Sequence, residues 1–266
     1  MLMNIFWHEL RAYRKSIMIW AGAMTLLAVA YIFLFQGLGR DIADFKAFLS
    51  NMPDVMIKSF NILVESISTL EGFYSFVFSF VLLCGAIQAM NLGTAIVSKE
   101  VRDKTADFLL TKPVSRIGII LSKLLAALVV LVMTNIIYLG LTTFAAVAVV
   151  SRFNLKVFFL ISLTLFFVQL LFLALGILIA VIAGKIKSVI SVSLSTVFGL
   201  YVLGSLGSIL GEENVRYFSP FRYFDPVYII DHAAYETSFV VTGMVLIIAA
   251  IGVSCLVYAK KDIHTV

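Results

Sequence analysis

The chain has 266 residues, 62% hydrophobic and 13% charged, with a formal net charge of +5 and a mean hydropathy of +1.07. A soluble domain is nearer half apolar and a quarter charged, so this composition excludes a water-soluble globular protein and makes lipid the solvent. The basic residues form no long continuous patch, which excludes a nucleic-acid partner.

Residues 1–16 read as an amphipathic helix. Leu2, Phe6, Leu10 and Tyr13 fall on one stripe, and Asn4, His8, Arg11 and Lys15 on the other, a pattern suited to a helix lying in the inner headgroup layer. The segment serves either as a topology anchor or as a surface that also touches a cytoplasmic partner. It is not a cleavable signal, because its charged flank leads into a full span without a small-residue cleavage site.

Six apolar runs follow, at 17–35, 73–98, 124–150, 157–183, 189–210 and 238–259. A helix needs about 20 such residues to cross a bilayer. Membrane barrels are ruled out, because their strands alternate and are about 10 residues long. The expected fold class is all-α, a single transmembrane domain of six helices over 1–266.

Two longer segments lie between spans. Residues 36–72 have helical character broken at Pro53. Beyond it Met56, Phe60, Leu63, Ile67 and Leu70 line one face, opposite Asp54, Lys58, Asn61 and Glu65; the segment reads as a packing cap. Residues 211–236 hold Tyr217, Phe218, Phe221, Tyr223, Phe224 and Tyr228 around Pro220 and Pro226, a density of rings expected at the lipid–water boundary.

Charge sets the expected orientation. With six spans, the side bearing both termini carries thirteen Lys and Arg, and the other side seven. Lys/Arg excess marks the cytoplasm, so both termini are expected inside the bacterial cytoplasmic membrane. The six apolar runs contain no Asp, Glu, Lys, Arg or His, which argues against proton-driven transport. His8-Glu9 continues as HELRA, without the second His of a zinc protease, and no GxxxxGK[ST] phosphate loop occurs. Any ATP-driven work must take its energy from another chain.

The charge is concentrated between the second and third spans. Lys99–Arg116, KEVRDKTADFLLTKPVSR, holds eight of the thirty-five Asp, Glu, Lys and Arg residues. Residues 99–110 can form a short helix with Val101, Thr105, Phe108 and Leu109 toward one side. Pro113 ends it, because the residue before a proline is pushed out of the α region. Arg116 and Lys123 then stay near the inner headgroups.

The run Ser98–Arg116 resembles the signature of ABC-2 type transporter permeases: an acidic residue, a Thr, two Leu, then Pro-x-Ser-Arg before a Lys that opens the third span. The matching positions are Glu100, Thr105, Leu109, Leu110, Pro113, Ser115, Arg116 and Lys123. The stretch ending in Arg14-Lys15 is similar to that family's elbow helix, and Ser219–Asp225 to the region before its last span.

The resemblance implies two paired permeases, identical or not, each meeting a separate ABC ATPase subunit that binds ATP and Mg; this chain binds no cofactor itself. It implies that 99–116 holds a coupling helix seated in a cleft of the ATPase, through Glu100, Arg102, Asp103, Thr105, Phe108, Leu109, Leu110, Pro113 and Arg116. The elbow helix would line the same contact through Phe6, Glu9, Arg11, Arg14 and Lys15. The first and fifth spans would face the second permease. In the fifth, Gly199, Gly204, Gly207 and Gly211 are candidates for dimer interface or pathway, since small residues let helices approach closely in lipid; packing within one chain is the competing reading. Sparse polar groups, Gln88, Asn91, Asn135 and Gln169, would line an otherwise apolar route suited to an amphipathic peptide or drug moving outward. The rival functions are a membrane anchor or regulator that moves nothing, and an intramembrane serine hydrolase.

Overall fold

The computed structural model of the protein describes residues 2–39, 41–59, 62–102, 115–183, 186–211 and 213–260; for Ser59, Glu100, Val101, Arg102 and Glu213 it describes the backbone alone. All four prolines lie outside the long apolar runs, so nothing interrupts their helical hydrogen bonding. Six helices are long and apolar enough to cross a membrane: α1 (Leu2–Gly37), α4 (Leu70–Arg102), α5 (Arg116–Val149), α6 (Leu155–Ala183), α7 (Val189–Leu210) and α9 (Thr237–Lys260). Three short helices, α2 (Ile42–Ser50), α3 (Asp54–Ser59) and α8 (Pro226–His232), and two 3-10 turns at Glu213–Phe218 and Pro220–Arg222 complete the described chain. The protein is an all-α, multi-pass membrane protein.

Helices α4 and α6 form the centre. Their backbones touch at two glycines: a Cβ on Gly93 would lie 2.5 Å from the Leu173 carbonyl oxygen, and one on Gly176 would lie 2.7 Å from that of Met90. Glycine allows this approach in lipid, where close van der Waals packing replaces the hydrophobic drive. Helix α1 runs beside α5 and also touches α4, α7 packs on α4, and α9 on α6.

Polar side chains within the bundle join the helices. Gln88 donates to Thr134 Oγ1 at 3.1 Å, Gln169 to Gln88 Oε1 at 3.0 Å, and Asn135 to Gln169 Oε1 at 2.6 Å. Nearer the α4 N-terminus, the Tyr74 hydroxyl lies 2.5 Å from that of Tyr138 and 2.8 Å from that of Ser162. The expectation that Gln88, Asn135 and Gln169 line a route is corrected: all three are buried and are tied into one chain of hydrogen bonds with Thr134, since an amide that finds no donor or acceptor among apolar helices is costly.

At the α4 N-terminal end, Leu49, Ile62, Ile67, Phe73 and Val77 form a small second core under the 42–69 segment. The expected cap is present, but its face is different. Ile67 and Leu70 are buried while Met56 is exposed, because the helix ends at Ser59 and turns follow. Phe60 and Asn61 lie outside the described residues.

The 211–236 segment departs further from expectation. Tyr217 and Phe218 are exposed, whereas Tyr223 and Phe224 are buried. Phe224 stacks on Phe167 at 5.5 Å, and Phe221 meets Phe172 at 5.1 Å. Half of the presumed interfacial belt is thus a plug packed into the bundle. The Tyr223 hydroxyl donates to the Tyr217 carbonyl, and that of Tyr235 to the Leu160 carbonyl, each at 2.6 Å.

Candidate functional site

Three helices outrun the bilayer the furthest. Helices α1, α4 and α5 have 36, 33 and 34 residues, about 50 Å each at ~1.5 Å per residue, against about 30 Å of hydrocarbon. The polar residues assign the surplus to the α1 N-terminus, the α4 C-terminus and the α5 N-terminus, which meet at one end of the bundle. Ser115 caps α5 there, accepting from the Gly118 amide at 3.1 Å, and the Leu2 side chain reaches Gly118.

The first helix does not break. A helix lying along the headgroups over 1–16 and a separate span from 17 were expected, but Leu2–Gly37 is one continuous helix. No Gly or Pro occurs before Gly22 to break it, and Phe6, Leu10 and Tyr13 find the main core rather than lipid. Arg11, Arg14 and Lys15 face outward.

Glu9 falls on that inward stripe, and it is 2% exposed. Its carboxylate accepts from Lys99 Nζ at 2.8 Å and lies 3.9 Å from Lys123 Nζ. Lys123 is also 2% exposed and donates to the Ile96 carbonyl at 2.5 Å. This corrects one expectation: Lys123 does not reach for the headgroups. It directly precedes the apolar run 124–150, which itself holds no charged residue. A buried ammonium persists where a carboxylate and a carbonyl replace its water.

Lys99 is near the end of α4 and Lys123 near the start of α5, so one carboxylate of α1 holds both helices that border residues 103–114. Of the proposed coupling residues, Asp103, Thr105, Phe108, Leu109, Leu110 and Pro113 lie outside the described residues. Glu100 and Arg102 belong to the last turn of α4, which extends the second span without a break, and Arg116 opens α5, half-buried. The sequence offered a signal for Glu9 that residue classes alone hide: it is the only acid before Asp41, and it sits in an apolar stripe.

The glycines of α7 divide. A Cβ on Gly204 would meet Ser219 Oγ at 2.5 Å, and one on Gly207 would meet Val215 at 2.7 Å. Both are occupied by packing within the chain. Gly199 has open space, and Gly211 is the left-handed C-cap of α7 at φ 72°. Ser219 secures the contact by donating to the Leu200 carbonyl at 2.9 Å.

At this opposite end, two adjoining cavities open between α4, α7 and the 213–229 segment. A narrow one of about 60 Å³ is lined by Ser75, Ser79, Ser205, Phe221 and Phe224, among others. A wider one of about 310 Å³ adds Arg216 and Asp225, and the two share Gly204, Ser208 and Arg222. Burial pushes the Arg222 guanidinium down from its ordinary value; Asp225 offsets this and Arg216 adds to it. Arg216 pairs with Glu236 and sits 3.8 Å over the Phe239 ring.

No curated protein matches the chain. The family model described as ABC-2 family transporter protein matches residues 3–263, nearly the whole sequence, and the chain belongs to that family. It is a membrane subunit of an ABC transporter whose ATPase is a partner chain.

Proposed function

We propose that this ABC-2 family member is the permease of an exporter for an amphipathic or lipophilic substrate, a peptide or drug, with 99–116 as the segment that engages the ATPase. The observation that carries the reading is the convergence of α1, α4 and α5 at one end of the bundle, with the charged segment 103–114 between the described ends of α4 and α5. The motif residues Glu100 to Pro113 then serve docking, and the long helices carry the displacement into the membrane. ATP must favour one packing of the permeases by several kcal/mol, on the order of 5 for a full switch. The Lys/Arg excess on this side supports cytoplasmic termini in a bacterial cell membrane.

The substrate class is supported by the cavities at the other end, where hydroxyls, aromatic rings and a charged rim occur together. Such mixed surfaces suit molecules with one polar and one apolar part. Pairing with a second permease through the first and fifth spans follows the family resemblance. The packing of Gly204 and Gly207 moves the available face of α7 to Gly199, Val202, Leu206 and Leu210, all exposed.

Co-purification with the ATPase, and its turnover in the reconstituted complex, test this reading. Phe108→Ala and Glu100→Lys are expected to leave membrane insertion intact and to uncouple ATP turnover from transport. Normal coupling in both variants would overturn the docking role. An ATPase that assembles and turns over identically without this chain would favour the anchor reading. Single cysteines at Gly199, Val202 and Leu206 are expected to crosslink between subunits.

A further inference from the structure

We propose that Glu9 is a positioning residue that makes α1 a third arm of the coupling device, so that a displacement of 103–114 drives the first span directly as well as the second and third. The inference rests on the ATPase-engaging role proposed for 99–116.

Three observations lead to it. The Glu9 carboxylate bridges two helices, with Lys99 Nζ at 2.8 Å on α4 and Lys123 Nζ at 3.9 Å on α5. The carboxylate is shielded: Glu9 and Lys123 are each 2% exposed, and Lys99 is 22% exposed, so salt screens the Glu9 charge less than it would a surface pair. Finally, α1 continues from Leu2 to Gly37 without a break. A rigid helix cannot absorb a push at its first turns as a hinged one would.

The physical choice at this junction is between two movements. If α4 moved with 103–114 and left α1 behind, Lys99 would leave a buried carboxylate that retains Lys123 only at 3.9 Å. Stripping a buried charge of its partner is far costlier than sliding apolar side chains past one another. The lower-energy response keeps Lys99, Glu9 and Lys123 together and moves the three helix ends as one body. Lys123 adds a second tie by donating to Ile96 O on α4. The Leu2 contact at Gly118 aligns α1 with α5 one to two turns further out.

Spin-label distances in the full permease–ATPase complex in nanodiscs test the proposal. Labels are placed at Met18→Cys on α1 or Lys104→Cys in the charged segment, each paired with Ile248→Cys on α9, in a background lacking Cys84 and Cys255. Met18 and Ile248 are exposed. In the parent, ATP with vanadate is expected to shift both distances. With Glu9→Gln the Lys104 shift is expected to persist and the Met18 shift to be lost. A purely structural role would lower thermal stability without separating the two shifts. Should Glu9→Gln fail to fold, Lys99→Gln must show the same selective loss. Persistence of the Met18 shift in the folded single variant overturns the proposal, as does a parent in which Lys104 shifts and Met18 does not; either result leaves the docking role standing. A parent complex in which neither distance shifts overturns both.

Discussion

The two ends of the bundle handle charge in opposite ways. At the α1 N-terminal end, Glu9 and Lys123 are buried together at 2% exposure each, with Lys99 at 22%. At the other end, Arg216 and Glu236 pair with side chains still 22% and 28% exposed, and Arg222 and Asp225 rim an open cavity. The first arrangement fixes three helices relative to one another. The second leaves room beside its charges. Under the function proposed above, the former suits the end that engages the ATPase, and the latter suits the end that meets the substrate.

Glu9→Ala should sharpen this contrast most, costing about 3–5 kcal/mol because two ammonium groups lose their buried counter-charge; thermal unfolding in detergent measures it. Gly176→Ala, at the α4–α6 contact, should cost about 1–3 kcal/mol, since the new Cβ must displace backbone rather than a side-chain tip. Tyr223→Phe at the cavity end should cost about 1 kcal/mol for its lost hydrogen bond to the Tyr217 carbonyl. Glu236→Gln should cost less than about 1 kcal/mol, as a partly exposed pair does, and its effect should shrink further with added salt while that of Glu9→Ala does not. Equal sensitivity of Glu9 and Glu236 would erase the distinction between the ends.

The six spans were legible because their signal is additive. Twenty apolar residues identify a span whatever their order, so each expected run falls on an observed helix, the third passing its end by Val150 alone. The long outer segments were read less well. Phe221, Tyr223 and Phe224 have the composition of an interfacial belt, and only the turn at Pro220–Arg222 directs them into the bundle. The α7 glycines were ambiguous for a related reason. Small residues announce close approach without naming the neighbour, and for Gly204 and Gly207 the neighbour is the chain's own 215–222 stretch.

The candidate site divides along the same line. Residues 99–116 stand out by charge and motif alone, and the helices on both sides lead to them. Glu9 could be seen as an acid in an apolar stripe, but its partners lie 90 and 114 residues away, beyond the reach of any local pattern.

Composition by itself determined the solvent, the helical class and the number of spans, because burial of apolar residues in lipid and internal hydrogen bonding of the backbone leave few alternatives. Tertiary structure alone decided which polar residues are committed to partners inside the bundle. Gln88, Asn135 and Gln169 became a helix clamp, and Glu9, Lys99 and Lys123 became one ion cluster. Those roles depend on contacts between distant segments, and a buried polar group takes its meaning from the partner it meets.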